Sequence, residues 1–187
     1  MKKPKCVIVT GRPGAGKTTL AKKLGERLGM PVISRDEIKE GYVNTWGVPH
    51  DQLPPSTNGH ISQLFFQLVN SYLAAHVSVV IEAAFQHNVW QAQMPDILEL
   101  SVPLIIECSL NSVTAAHRHL QRGLNDPKRE FFHGDTRVAH YKVTGEILPP
   151  DVYTSPQLGI LTIQVGTRAE YVPDLDEIVS RINDLQA

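Results

Sequence analysis

Cys6-Val-Ile-Val-Thr10 runs directly into Gly11-Arg12-Pro13-Gly14-Ala15-Gly16-Lys17-Thr18, and this junction decides the fold. The first stretch is a short β-branched run, the pattern of a strand buried on both faces of a parallel sheet. The second fits G-x-x-x-x-G-K-[ST] without a mismatch. Its glycines allow dihedrals that a Cβ resists, so successive backbone N–H groups can converge on an anion. Lys17 to Leu28 then reads as a helix, with Leu20, Ala21, Leu24 and Leu28 at helical spacing and Gly29 as its stop. The positive end of that helix faces the same anion. Strand, glycine-rich turn and helix together form a phosphate-binding loop. Lys17 is expected to reach the β/γ-phosphates of ATP and the Thr18 hydroxyl to ligate Mg²⁺.

Outward from this unit, the alternation of strands and helices continues. Pro31-Val-Ile-Ser34 reads as a second strand, with Ser34 capping a helix and Glu37 at the capping-box position. Residues 44–59 are rich in Pro, Gly, Asn and Asp and read as a long loop. Ile61–Ala75 is helical in pattern, Val77–Ala84 a strand, Trp90–Leu100 a helix and Val102–Cys108 a strand. Asn111 is an N-cap for a helix over Ser112–Arg122. Residues 125–157 read as polar and irregular, Gly159–Val165 as the last strand, and Asp174-Leu-Asp-Glu177 as the start of the final helix. The pattern is that of an α/β fold with a parallel sheet, one domain over 1–187.

Composition excludes little but is consistent with this. The 187 residues carry a formal net charge of −1, 42% hydrophobic and 20% charged residues, so the surface as a whole is not a nucleic-acid magnet. Cys6 and Cys108 each lie in an apolar run and read as buried thiols without zinc spacing. No apolar run approaches the roughly 18 residues of a membrane span, and the basic start lacks a signal-peptide core, so a soluble cytoplasmic protein is expected.

Ligands of an open parallel sheet gather at the carboxyl ends of its strands. Three acidic residues fall there. Asp36 follows the second strand and can accept a proton from an incoming hydroxyl, or merely favour its helix N-terminus. Glu82 closes Val-Val-Ile-Glu, where it either supports Mg²⁺ or its waters or forms a structural ion pair. Glu107 lies mid-strand and reads as a partnered buried carboxylate. Arg118 and Arg122, one helical turn apart, share a face and would stabilise charge on a transferring phosphoryl group, and one could stack on adenine. Lys128, Arg129 and Arg137 extend this basic character. The eight histidines make no metal pattern, and His117 and His119 read as surface positions. Trp46, Trp90 and Phe131-Phe132 could wall an acceptor pocket or pack in the core.

Gly11 to Thr18, Ile-Ser-Arg-Asp36-Glu-Ile-Lys, Val-Val-Ile-Glu82-Ala-Ala-Phe and His-Arg118-His-Leu-Gln-Arg122 together resemble the polynucleotide-kinase-like and zeta-toxin-like group of small P-loop kinases. That group is similar in turn to chloramphenicol phosphotransferase and to gluconate and shikimate kinases. The resemblance implies a P-loop NTPase three-layer sandwich, a five-stranded parallel sheet of order 2-3-1-4-5, and a helical lid over roughly 112–140 carrying Arg118 and Arg122. It maps the hydroxyl-activating aspartate onto Asp36 and an adenine site between the lid and Gly166-Thr167-Arg168. The nucleotide contacts it implies are Gly11, Arg12, Pro13, Gly14, Ala15, Gly16, Lys17, Thr18, Thr19, Arg118, Thr167 and Arg168, with Thr18 and Glu82 at the metal. Shikimate-type kinases carry Asp-x-Asp after the second strand. This chain has Ser34-Arg35-Asp36, which leaves Thr18 as the firm metal contact.

The expected activity is transfer of the ATP γ-phosphate to a hydroxyl of a small-molecule acceptor, with Lys17, Asp36, Arg118 and Arg122 as catalytic residues. Two alternatives stand beside it. A 5′-hydroxyl polynucleotide kinase would need a basic groove, and residues 117–142 hold six Lys/Arg against three Asp/Glu. A nucleotide-binding switch would not need Asp36 or the arginine pair.

Overall fold

Alternating side chains of a strand point to opposite faces, and in this chain both faces are apolar because both are covered. The computed structural model describes residues 2–149 and 152–185. Strands β1 (Lys5–Thr10), β2 (Val32–Ser34), β3 (Val79–Glu82), β4 (Val102–Ser109) and β5 (Thr162–Gly166) form one sheet of order β2-β3-β1-β4-β5, with every pairing parallel. This is the order the resemblance implied.

Eight α-helices are described: α1 (Lys17–Leu28), α2 (Arg35–Trp46), α3 (Thr57–Ala74), α4 (His87–Leu100), α5 (Ser112–Asn125), α6 (Lys128–His133), α7 (Arg137–Thr144) and α8 (Leu175–Asn183). On one face of the sheet Val7, Val9, Leu104 and Ile106 pack against Leu20 and Leu24 of α1 and Ile178 and Ile182 of α8. On the other, Cys6, Ile8, Ile81 and Ile105 meet Phe65, Val69 and Leu73 of α3 and Trp90 and Ile97 of α4. Each fully buried large aliphatic side chain stabilises by about 1.5–3 kcal/mol, so the two cores hold the sheet as the middle of three layers. No described helix is long and apolar enough to cross a membrane.

Register sets up the site. Ser34 pairs with Glu82, Val9 with Glu82, and Thr10 with Glu107, so these groups line one end of the sheet beside the glycine-rich turn. Trp90, fully buried, donates from its indole N–H to Thr10 Oγ1 at 3.2 Å and belongs to the core. Glu107 accepts from Gln164 Nε2 at 2.7 Å and from Ser155 Oγ, the partnered carboxylate expected. Both cysteines are free and buried, and burial pushes each thiol up to about 12.

Several local readings are corrected. The stretch 44–59 is not one loop: α2 runs to Trp46, α3 starts at Thr57, and His50–Gln52 forms a 3-10 turn between them. Within 125–157, of which residues 150 and 151 lie outside the described residues, α6 and α7 replace an irregular segment. The third strand is shorter than Val77–Ala84 and the last starts at Thr162 rather than Gly159. Ser34 stands at the N-cap of α2 but its hydroxyl makes no cap bond. It donates to Glu82 instead, because a buried carboxylate is the stronger acceptor. Asn111 and Asp174 do cap α5 and α8, accepting from the Thr114 and Glu177 N–H at 2.8 Å.

Candidate active site

The turn after β1 is held open by its backbone. Gly14 sits at φ 81°, and a Cβ there would stand 2.2 Å from the carbonyl oxygen of Ala115 in α5. Gly16, at φ 87°, is the N-cap of α1. The loop is therefore pressed against the lid helix at a point only glycine fits. Thr167 ties it down from the other side, donating from Oγ1 to the Ala15 carbonyl at 2.8 Å. The Arg12 carbonyl accepts from Ala15 N–H and, at 3.2 Å, from Lys17 Nζ.

Lys17 is only 7% exposed, and its Nζ lies 4.0 Å from Glu82 Oε1. Burial pushes its ammonium below the ordinary value, with the charges of Glu82 and Asp36 opposing. Burial likewise raises the Glu82 carboxyl, opposed by Lys17 and by the Ser34 hydrogen bond. Glu82 Oε2 accepts from Ser34 Oγ at 2.8 Å and from Thr18 Oγ1 at 3.4 Å. Thr18, Ser34 and Glu82 thus offer hard oxygen donors on one side of the loop. Among the described residues no three His, Cys, Asp or Glu side chains gather into a metal cage. One carboxylate with hydroxyls beside a phosphate loop suits Mg²⁺, which takes few protein ligands and keeps water and phosphate oxygens.

Asp36, the second residue of α2, opens into the same cleft, a cavity of about 290 Å³ that Lys17, Thr18, Glu82, Arg122 and Arg129 also line. Burial alone would raise its carboxyl. The positive charges of His133, Arg35, Lys17 and Arg129 outweigh burial and hold it below the ordinary carboxylate range. Arg35 Nη1 is 3.6 Å from Asp36 Oδ1.

The two arginines read as sharing a face do not line the same cavity. Arg122 faces the cleft with Lys17 and Asp36. Arg118 donates to the carbonyls of Thr167 at 2.9 Å and Arg168 at 2.6 Å, beside a second cavity of about 480 Å³ that Gly16, Thr19, Lys23 and Tyr171 line. Lys128 does not line the cleft, whereas Arg129 and Arg137 do. Trp46 is exposed, and Phe131 lines a separate cavity of about 420 Å³ with Pro49 and Pro127.

Sequence reasoning missed His119, His133 and Asp135, all on the cleft wall. His119 is not a free surface group: its Nε2 lies 3.0 Å from Asp135 Oδ2, and Asp135 Oδ1 also accepts from Arg137 N–H at 3.0 Å. His117 is exposed, as read. His133 Nε2 is 2.9 Å from Glu40 Oε1. The one available signal was the density of polar residues between Asn125 and Arg137, which carries no spacing code.

The model of the AAA domain family matches residues 6–139, a range that takes in the glycine-rich turn, Asp36, Glu82 and both lid arginines. The chain belongs to this family. The sequence has no match among curated proteins. Among solved structures, the AAA domain protein is similar to a candidate kinase from Chloroflexus aurantiacus, at 23% identity and TM-score 0.79, covering 99% of this chain and 100% of that one. It is also similar to a gluconokinase from Sinorhizobium meliloti 1021, at 14% identity and TM-score 0.57, over 100% and 95% of the two chains. A chain of the Pnkp1/Rnl/Hen1 RNA repair complex matches at 18% identity and TM-score 0.58, over 84% of this chain and 51% of that one. At these identities the likeness is one of fold, that of P-loop kinases, and it agrees with the resemblance drawn from the motifs.

Proposed function

We propose that this AAA domain protein is an ATP-dependent kinase that transfers the γ-phosphate to a hydroxyl of a small-molecule acceptor. The observation that carries the reading is the Asp36 carboxylate opening into the cleft that holds Lys17 and Arg122. Lys17 and the loop N–H groups hold the β/γ-phosphates, Arg122 neutralises charge on the transferring group, and Arg118 with Thr167 and Arg168 borders the base. Thr18 and Glu82 would hold Mg²⁺, which when bound neutralises phosphate charge. Asp36 hydrogen-bonds the acceptor hydroxyl and directs its oxygen at the γ-phosphorus. The new P–O bond forms as the β,γ-bridging bond breaks, ADP leaves, and the hydroxyl proton passes to Asp36. Its lowered pKa makes Asp36 a weak base, so orientation is its larger contribution, as suits a loose phosphoryl-transfer transition state.

ADP release measured with ATP and Mg²⁺ over neutral polyols, sugar acids, nucleosides and aminoglycosides tests the reading. Stimulation by one class supports it and names that class. Slow turnover unchanged by every class counts against it and favours a nucleotide-binding switch. A 5′-hydroxyl polynucleotide kinase is the second reading, favoured by the fold shared with a chain of an RNA repair complex, although residues 117–142 are only mildly basic. Oligonucleotide binding that weakens steeply with salt would single it out.

A further inference from the structure

The transfer chemistry above leaves one titratable pair of the cleft wall unused. His133, the last residue of α6, lines the same cavity of about 290 Å³ as Asp36, and its side chain is 11% exposed. Its Nε2 lies 2.9 Å from Glu40 Oε1. Glu40 follows Asp36 by one turn of α2, so the two carboxylates share a helix face, and α6 packs against α2. An ionised carboxylate only accepts, so Nε2 carries the proton of the neutral ring and Nδ1 is left as the acceptor. Glu40 itself is 41% exposed, so its end of the row meets solvent.

We infer that His133 and Glu40 form a proton relay for the transfer reaction, taking from Asp36 the proton that the acceptor hydroxyl releases and delivering it to solvent. The inference rests on the reading of Asp36 as the hydroxyl-orienting residue. His133 and Glu40 act through Asp36 and are positioning residues.

Asp36 is a poor store for that proton. Burial would raise its carboxyl, but positive charges outweigh burial, and the His133 charge is the largest of them. Burial in turn holds the His133 ring below its ordinary value, opposed by Asp36 and the Glu40 hydrogen bond and aided by Arg129 and Lys39. Near neutral pH the ring is therefore uncharged and able to accept. The other groups facing it are His50 on the 3-10 turn and His119 and Arg122 of α5 across the cleft. Asp36 and His133 meet through the cavity, and in the relay a single water spans them. As the new P–O bond forms, the hydroxyl proton moves to Asp36 and then through the water to His133 Nδ1. The imidazolium, held by the Glu40 carboxylate, releases one proton to solvent, which leaves Asp36 ionised and the ring neutral. The Asp36 carboxylate is half-exposed in the open cleft. With nucleotide and acceptor in the cavity that side is covered, and the seam between α2 and α6 is the route that remains.

The test follows loss of the γ-phosphate from labelled ATP with saturating Mg²⁺, over about pH 5–8. Label is counted in water and in the polyol, sugar-acid, nucleoside and aminoglycoside panel together, so the result does not depend on which acceptor is used. The full chain is compared with His133→Gln, His133→Gly and Glu40→Gln. The parent rate should rise with pH as His133 loses its proton, at the midpoint found for the ring by NMR titration. His133→Gln should be at least about tenfold slower on the plateau, with the rise gone and the KM for ATP unchanged. Free imidazole should restore His133→Gly, which a merely structural role would not allow. Glu40→Gln should move the midpoints of rate and ring to lower pH, because a partner that raises the ring is lost. A pH rise that persists in His133→Gln, or a plateau equal to the parent's, overturns the relay and leaves the kinase reading standing. A ring titration unmoved by Glu40→Gln also overturns the relay alone. ATP bound by the parent with no γ-phosphate released overturns both readings.

Discussion

Replacing Gly14 with alanine probes the closest backbone approach in the site. At φ 81° the new residue is strained, and its Cβ would be built 2.2 Å from the Ala115 oxygen and 2.9 Å from its carbon. Strain of this kind costs about 1–3 kcal/mol, and overpacking against a backbone atom adds about 1–3 kcal/mol. Partial relaxation leaves a net loss of about 2–4 kcal/mol. For a chain of this size that lowers Tm by roughly 5–15 °C. Relief requires α5 to move away from the loop, and α5 carries Arg118 and Arg122, so nucleotide affinity falls with stability. Gly41→Ala is the control: that glycine lies inside α2 with nothing within 4 Å of a built Cβ. It should stabilise by about 0.5–1 kcal/mol. Thermal and urea unfolding of parent and both variants, without nucleotide, measure the difference. A Gly14→Ala variant as stable as Gly41→Ala would refute the claimed contact between loop and lid helix.

The arginine partition predicts different kinetics for two similar substitutions. Arg118→Ala should raise the KM for nucleotide with kcat nearly unchanged, whereas Arg122→Ala should lower kcat about 100-fold. Asp135 is held below the ordinary carboxylate range chiefly by its hydrogen bond from His119, burial opposing and Arg137 adding to it. A depressed folded-state pKa contributes stability present above the unfolded value and lost as pH falls through the folded one. Asp135→Asn should therefore be less stable than the parent by about 1–2 kcal/mol at pH 7, and the gap in urea unfolding should close as pH drops below about 4. Asn111→Ala should cost about 1 kcal/mol through loss of the α5 cap, seen as a lower urea midpoint.

The parallel sheet was legible because each core strand is a short apolar run with an abrupt end, and the glycine-rich turn couples the first strand to an amphipathic helix; its order came from the family resemblance and not from the strands themselves. The two caps at Asn111 and Asp174 were readable for the same local reason. What failed depended on tertiary partners. Ser34 has the sequence of a helix cap, but Glu82, paired with it across the sheet, takes its hydroxyl. Helices α6 and α7 are short and have no buried residues of their own, so no apolar periodicity announces them. They form against α2 and α5 and bring Asp135 to His119 through a fold-back that spacing along one helix cannot show. The arginine pair obeys helical spacing, yet the loop after β5 offers two carbonyls to Arg118, while Arg122 lines the cleft.

The most direct test of the central claim is transfer of label from γ-labelled ATP to an acceptor by the parent and by Asp36→Asn. The account predicts label in the acceptor with the parent. Asp36→Asn should bind ATP with parental affinity but transfer at least about 100-fold more slowly. Equal transfer by the two proteins, or ATP hydrolysis by the parent with no label in any acceptor, would contradict it.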